Sequence, residues 1–466
     1  MERKKIEAII EQALLNKSTY VDLSGFELTS IPQELSEIEH LEVLNLCNNS
    51  IINIHALSNF KNIRIVDLRN NKIKNIDQEI LDLGLTVKWK FDYADEGLYL
   101  EENPIENVPY EIILQGNSVI ESYLQAVENS SDVKYLNEAK IALVGDGGVG
   151  KTSITKSLHR HPFGDAEVQT HGIEIRSLFL EVNNQPIKLK FWDFGGQEIM
   201  HSTHQLFLTK GTVYLLVTDS RQETNIEYWL KTVQTYAGDV PVIIVINKID
   251  LNSSYDLNRR QLMRKYPNII SFQRVSCLTQ EGISELLEQI KFCVQNLAHL
   301  NTVIPASWFQ IKERLEDLRE DFIDYSVFTK ICVEYDISDS LQQNILSDFL
   351  HDLGVIIHFK TLPLFSIQIL NPFWITEAIY RIINSHEAHA EKGKINNAKV
   401  LKILSPFKET YPKNKGRFII DIMKEFELLF EVQEDTYIIT ELLPIQKPEI
   451  DFDYNRALAF FFFFRV

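Results

Sequence analysis

The chain has 466 residues and a formal net charge of −18, which argues for roughly two to four domains and against a general nucleic-acid binder, whose footprint would be basic. Its four cysteines, Cys47, Cys277, Cys293 and Cys332, form no CxxC pair, so reduced, buried thiols in a cytoplasmic protein are expected rather than a disulfide framework or a zinc site. No apolar run reaches membrane-spanning length, and Glu7, Glu11 and Gln12 interrupt the first apolar stretch, which excludes a signal peptide.

At the N-terminus, Ile6, Ile9, Ile10, Ala13 and Leu14 fall at helical spacing and predict an amphipathic helix covering the end of the adjoining domain. Four similar segments come next: YVDLSGFELTSIP from residue 20, EVLNLCNNSIINI from 42, RIVDLRNNKIKNI from 64 and GLYLEENPIENVP from 97. The steps Leu23 to Leu46 and Leu46 to Leu68, 23 and 22 residues, lie in the range of leucine-rich repeats. Each segment reads as a short strand followed by a turn, with Asn48, Asn70 and Asn103 placed to satisfy turn backbone groups. The step from Leu68 to Leu100 is longer and carries an insertion around Trp89–Asp95. An α/β solenoid over residues 1–127 is expected, closed at its far end by a cap near 110–127. Charged residues expected on its concave face, such as Arg69 and Glu101, are candidates to bind a protein partner, with a solvated surface the default reading for any single one.

Residues 128–138, ENSSDVKYLNE, read as a polar linker. From Ala139 strands are predicted at 140–144, 172–182, 187–193, 212–218, 241–247 and 270–276, with helices between and after them, including 282–298. That alternation predicts a doubly wound, mainly parallel α/β sheet over 139–298. Beyond 300 the pattern is mainly helical, with strand-like runs at 354–359 and 365–370 and a polar, Lys/Asn-rich stretch at 383–417 expected to include a loop. The phenylalanine run near the C-terminus, Phe460 to Phe464, is expected to be a buried strand, because such a run is an aggregation hazard when exposed.

Three motifs carry chemistry. Gly145-Asp146-Gly147-Gly148-Val149-Gly150-Lys151-Thr152 matches the phosphate-loop pattern between a strand and a helix, with Ser153 next in the helix. Its amides can wrap a β-phosphate at a helix N-terminus, Lys151 can reach β- and γ-phosphate oxygens, and Thr152 can hold Mg²⁺. Asp193-Phe-Gly-Gly196-Gln197-Glu, at a strand end, places Asp193 toward the same Mg²⁺. It also places the Gly196 amide toward the γ-phosphate and Gln197 to orient an attacking water. Asn247-Lys248-Ile-Asp250 follows another strand. The Asp250 carboxylate can accept two hydrogen bonds from guanine that adenine cannot offer, Lys248 can lie along the base, and Asn247 can tie this loop to the phosphate loop. Ser276-Cys277-Leu278 fits a backbone contact to the guanine carbonyl, and Thr170 a loop that closes on Mg²⁺ and the γ-phosphate. His201 and His204 offer too few ligands for a metal. His351, His358 and Trp374 read as packing residues.

The order and spacing of these motifs resemble Ras-like GTPases over about residues 139–298. With the repeats before them, WDFGGQEIMHSTHQLFL at the second motif, and SWFQIKERLE, FLHDLGVIIHF, LNPFWITEAIYRII and ELLPIQKP beyond 300, the chain resembles the Roco family. That resemblance implies a Roc GTPase domain at 139–298, a first COR half at 299–449, and only the opening of a second COR half at 450–466. It implies a slow GTPase that uses GTP/GDP and Mg²⁺ and acts as a nucleotide-dependent switch. Family-style dimerisation resides mainly in the second COR half, so only weak dimerisation is expected here. An interaction scaffold that holds nucleotide for stability is the alternative, and Asp250 argues against an ATPase. No arginine finger is assignable among Arg176, Arg221 and the arginines near 259–264, which predicts slow hydrolysis.

Overall fold

The computed structural model describes residues 2–91, 95–130, 132–160, 172–182, 185–195, 207–221, 225–297, 300, 303–359, 367–407 and 409–443. The chain divides into two compact units, Met1–Glu377 and Ala378–Val466.

The first unit begins with α1 (Glu2–Asn16), whose Ile10 and Ala13 are buried. Short parallel strands come after it: β1 (Tyr20–Asp22), β2 (Val43–Asn45), β3 (Ile65–Asp67), β4 (Val87–Lys88) and β5 (Gly97–Tyr99), with helix α2 (Gln78–Asp82) before β4. They stack in the order β1-β2-β3-β5-β4. The long step after Leu68 therefore does more than lengthen a loop: it builds a helix and an extra strand, which joins the sheet outside β5.

The stack is held by apolar pairs, Val21/Leu23, Leu44/Leu46, Val66/Leu68 and Leu98/Leu100, all pointing inward. Between them lies a ladder of buried amides. Asn71 Nδ2 donates to Leu46 O and Leu68 O, both at 3.0 Å, while its Oδ1 accepts from Ile51 N at 2.9 Å. Asn49 and Asn103 repeat the pattern one step to either side. The turn-satisfying residue is thus Asn103 as expected, but Asn49 and Asn71 rather than Asn48 and Asn70. The latter pair take left-handed backbone conformations, φ 57° and 52°, which turn their side chains outward. Asn tolerates that conformation better than most residues.

Helices α3 (Tyr110–Ile113) and α4 (Asn117–Glu128) close the far end of the stack. Val119, Ile120 and Tyr123 of α4 are buried, and the Tyr123 ring meets Trp308 edge-on at 5.4 Å. The stretch read as a linker contains strand β6 (Val133–Tyr135), which pairs antiparallel with β13 (Val303–Pro305). Polar composition hid it, because a two-stranded ribbon with exposed residues leaves no alternating apolar signal.

The central sheet has six strands: β7 (Glu138–Val144), β8 (Ile173–Val182), β9 (Gln185–Phe194), β10 (Thr212–Asp219), β11 (Val242–Asn247) and β12 (Ile269–Arg274). Their order is β12-β11-β10-β7-β9-β8, parallel except for the β8–β9 pair. Helices α5 (Lys151–Leu158), α6 (Ile226–Ala237), α7 (Arg259–Lys265) and α8 (Ile283–Gln295) accompany it. Strand β11, VIIVIN, is buried throughout, as a central parallel strand covered on both faces must be.

After β13 come α9 (Ala306–Glu316), β14 (Phe322–Asp324), α10 (Tyr325–Glu334), α11 (Ser340–Asp352), β15 (Ile367–Ile369) and α12 (Pro372–Ile383), which runs across the unit boundary. The side chains of Trp308 and Trp374 are buried. Trp374 lies 4.8 Å from the Phe322 ring, and His358 stacks near Tyr325 with Nδ1 3.1 Å from Gln368 Nε2. These are packing roles, as expected.

The second unit holds α13 (His386–Ala390), β16 (Lys394–Ile395), α14 (Asn397–Leu404), α15 (Gly416–Glu425), β17 (Leu429–Gln433) and β18 (Thr436–Ile439). The stretch 383–417 is thus largely helical. Its Ser385 and Asn396 cap helices, accepting from Ala388 N and Lys399 N, and short capped helices read as loop by composition. The phenylalanine run lies outside the described residues. Among the described residues no helix is long and apolar enough to cross a membrane.

Candidate functional site

The loops leaving the same ends of β7, β10 and β11 converge beside the end of β9 that carries Asp193. The first, Gly145–Gly150, bends sharply between β7 and α5. A Cβ on Gly150, which sits at φ 97°, would lie 2.3 Å from Asn247 Nδ2, so only glycine fits there. Asn247 uses that closeness: its Nδ2 donates to Val149 O at 2.9 Å, and its Oδ1 accepts from Lys248 N at 2.8 Å. The expected tie between the two motifs is made by one buried amide.

Lys151 is 5% exposed. Its Nζ donates to Gly145 O at 2.6 Å and Asp146 O at 2.9 Å. Burial pushes its ammonium down to about 8, against the opposing pull of Asp193 and Asp146. A buried cation satisfied, among the described residues, only by carbonyls of its own loop is poised for an anion. Thr152 Oγ1 donates to Asp193 Oδ2 at 2.5 Å. Asp193 is 1% exposed, and its Oδ1 has no partner among the described residues. Burial pushes this carboxyl up to about 6, although the Thr152 hydrogen bond and Lys151 pull it down. A hydroxyl and an under-satisfied carboxylate side by side, all-oxygen donors, suit a hard divalent cation that retains several waters.

The base-side loop follows β11. Lys248, at φ 61°, donates from Nζ to Gly148 O at 2.5 Å and to Asp219 Oδ2 at 2.7 Å. Asp250 is exposed, and one of its oxygens accepts from Ser276 Oγ at 2.5 Å. Cys277 is buried 3.6 Å from Asn247 Oδ1, whereas Leu278 is exposed. Ser153 is buried in the first turn of α5.

Several supporting residues carried no motif. Asp219, fully buried, anchors Lys248 and Arg221. Burial works against its charge, but the hydrogen bonds from Arg221 and Lys248 outweigh that and hold its carboxyl down at about 2. Trp229 Nε1 on α6 donates to Asp146 Oδ1 at 2.8 Å, fixing the middle of the phosphate loop. Gln280 Nε2 donates to Cys277 O at 2.6 Å and Ser157 Oγ at 3.1 Å, linking the Ser276 loop to α5. Asp219 alone had a legible signal, a carboxylate closing an apolar strand. The arginines Arg176, Arg221 and Arg259 pair with Glu174, Asp219 and Asp256. Thr170, Gly196, Gln197, His201 and His204 lie outside the described residues.

A Ras-like sheet with this loop cluster, followed by a mixed helical domain, defines the class, and similarity to known proteins agrees with it. Residues 140–250 match the family model described as Roc, Ras of Complex, domain of DAPkinase, and residues 305–443 match COR-A, C-terminal of Roc. A solved structure described as Methanosarcina barkeri Roco2 RocCORdC bound to GDP is 43% identical, with a TM-score of 0.64, covering 67% of this chain and 98% of that one. The chain belongs to the Roco family. Among curated relatives, the probable serine/threonine-protein kinase pats1 of Dictyostelium discoideum is 28% identical over 76% of this chain, and a Roc-COR-CHAT protease of an unknown prokaryotic organism is 26% identical over 96%. This chain spans only 12% and 44% of their respective lengths.

Proposed function

We propose that this chain binds guanine nucleotide in the crevice between the Gly145–Thr152 loop and the Asn247–Asp250 loop and hydrolyses GTP slowly to GDP, its nucleotide state acting on the COR-A helices and the N-terminal stack. The observation that carries this reading is the Asn247 amide. It joins the phosphate loop to the loop bearing Asp250, so one ligand must satisfy both at once. The GDP-bound Roco2 relative supports the same assignment.

Lys151 would exchange its loop carbonyls for β- and γ-phosphate oxygens, and the loop amides at the start of α5 would take the β-phosphate. Asp250 would accept from the guanine ring, its other oxygen steadied by Ser276. Thr152 and Asp193, with Thr170, would hold Mg²⁺, and that ion would supply charge neutralisation to the phosphates. Gln197 is assigned to orient the attacking water, and Gly196 to sense the γ-phosphate. The N-terminal stack is read as a leucine-rich repeat solenoid over 1–127 that presents a partner-binding face, with Roc at 139–298 and COR from 299. Weak dimerisation is expected.

Single-turnover GTP hydrolysis and fluorescent guanine-nucleotide binding test this on one sample. Tight binding lost in Lys151→Ala, and hydrolysis lost in Gln197→Ala, are the expected results. Equal competition by ATP would remove the guanine assignment.

A scaffold reading draws on one observation. Lys312 of α9, 2% exposed, bonds Glu138 at 2.8 Å and Glu316 at 2.9 Å, and Lys190 bonds the same two carboxylates. This four-charge clasp could hold Roc and COR-A together in every nucleotide state. Indistinguishable scattering profiles with GDP and with a non-hydrolysable GTP analogue would favour it.

A further inference from the structure

Lys140 lies in β7, whose other inward side chains are apolar. Ala139, Ile141 and Leu143 enter the core beneath α5 and α8. Lys140 faces the opposite side of the sheet and is 4% exposed. No carboxylate among the described residues lies within ion-pair distance of it. Its Nζ donates to Phe207 O at 2.7 Å and to Thr209 Oγ1 at 3.1 Å, and stands 4.1 Å over the Trp192 ring. Burying an ammonium with no carboxylate at ion-pair distance is costly, and the more distant Asp352 offsets that burial only in part; a methionine would fill the same space without the cost. The residue therefore needs a reason beyond packing.

Its partners supply one. Phe207 and Thr209 lie where the chain returns to the sheet after leaving the Asp193 end of β9, and Gln197 lies in sequence between those points. Thr209 is fixed further: its hydroxyl is 3.2 Å from Thr212 Oγ1, and its carbonyl accepts from Tyr214 OH at 3.0 Å. Trp192, under the ammonium, is the residue before Asp193 and lies 6.1 Å from the Phe207 ring.

The other side of this joint is COR-A. The turn after α11 brings Gly354 onto the pair. A Cβ there would lie 2.9 Å from Trp192 Cζ2, 3.4 Å from Lys140 Cδ and 3.5 Å from Lys140 Nζ, at a backbone φ of 68°. Asp352, two residues earlier, lends its charge to the ammonium.

We propose that Lys140 is a positioning residue for GTP hydrolysis, fixing Phe207 and Thr209 relative to Trp192 while in contact with the Gly354 turn, so that COR-A bears on hydrolysis through this side chain. The proposal rests on the GTPase reading above. Lys140 touches no reacting atom; it sets where the chain beyond Asp193 returns to the sheet.

The test compares full-length wild type with Lys140→Met, Gly354→Ala and Thr209→Val, measuring single-turnover GTP hydrolysis, GDP affinity and thermal midpoint. Lys140→Met is expected to keep or raise the midpoint, leave GDP affinity within about threefold, and slow hydrolysis about tenfold or more, since small misplacements carry rate losses of this order. Gly354→Ala acts on the same joint from the COR-A side. It should slow hydrolysis comparably, and the double variant should be no slower than the worse single one. Wild-type hydrolysis in a folded Lys140→Met protein would overturn the proposal. If that variant does not fold, Thr209→Val decides; it removes the hydroxyl that accepts from Lys140 and meets Thr212 Oγ1, and Thr212→Val, which removes the second contact but not the first, serves as its control. A severalfold loss of rate in Thr209→Val but not in Thr212→Val, at unchanged GDP affinity, supports the proposal, and an unchanged rate in Thr209→Val or an equal loss in the two overturns it. A wild type that neither binds nor hydrolyses GTP would instead overturn the nucleotide reading itself.

Discussion

The N-terminal stack and the loop cluster of the Roc sheet both bury polar side chains, but they treat them differently. In the stack, Asn49, Asn71 and Asn103 are saturated, each giving its N–H groups and oxygen to neighbouring backbone. In the cluster, among the described residues, Asp193 keeps one oxygen unpartnered and Lys151 is held only by its own loop, and burial moves both toward neutrality. Saturated polar groups define shape. Under-satisfied ones define what must still bind.

Four measurements put that contrast at risk. The largest expected effect is on selectivity. Asp250→Ala should collapse the preference for GTP over ATP by roughly 10⁴-fold, because discrimination rests on a group left unpaired against the wrong base; competition binding reads it directly. Next, Lys151→Ala should weaken GDP binding roughly a hundredfold, the scale of a lost charged hydrogen bond to phosphate, with the thermal midpoint of the nucleotide-free protein little changed. By contrast, Asn71→Ala should cost about 1–3 kcal/mol of stability in urea, since it orphans the buried Ile51 N–H, while Leu46 O and Leu68 O keep their bonds from Asn49 and Asn103, yet leave GDP affinity untouched. If Asn71→Ala altered affinity, or Lys151→Ala unfolded the protein, the division between shape and site would fail.

The smallest effect concerns the clasp between β7, β9 and α9. Burial works against the Glu316 charge, but Lys190 and Lys312 hold its carboxyl down at about 2, and Glu138 is lowered in the same way. A carboxyl depressed in the folded state contributes stability above its unfolded value near 4.5, and that contribution is lost as pH falls toward 2. Glu316→Gln should therefore lower stability by about 1 kcal/mol at neutral pH, after allowance for partial solvent access, with the difference from wild type shrinking between pH 4.5 and 2. Urea midpoints at stepped pH values report it.

Much of the fold was legible because periodicity and punctuation agree with it. The phosphate loop announced itself by glycine spacing, and β11 by its unbroken apolar run. Asn48 and Asn70 misled because two adjacent asparagines share each turn and sequence does not say which takes the left-handed conformation. Strand β6 was invisible because its partner lies some 170 residues away. Asp146's anchor Trp229 and the role of Lys140 depend on which loops and helices meet across the sheet, which no local pattern encodes; a lysine in AKIALV reads simply as a strand residue facing water. Gln280 was hidden likewise, because its Ser157 partner lies on α5, 123 residues away.

The central claim is tested most directly by calorimetric titration of GDP with Mg²⁺ into the nucleotide-free protein, with and without a large excess of ATP. Binding at micromolar or lower Kd that ATP does not diminish is the predicted result. No heat of binding, or equal displacement by ATP, would contradict it.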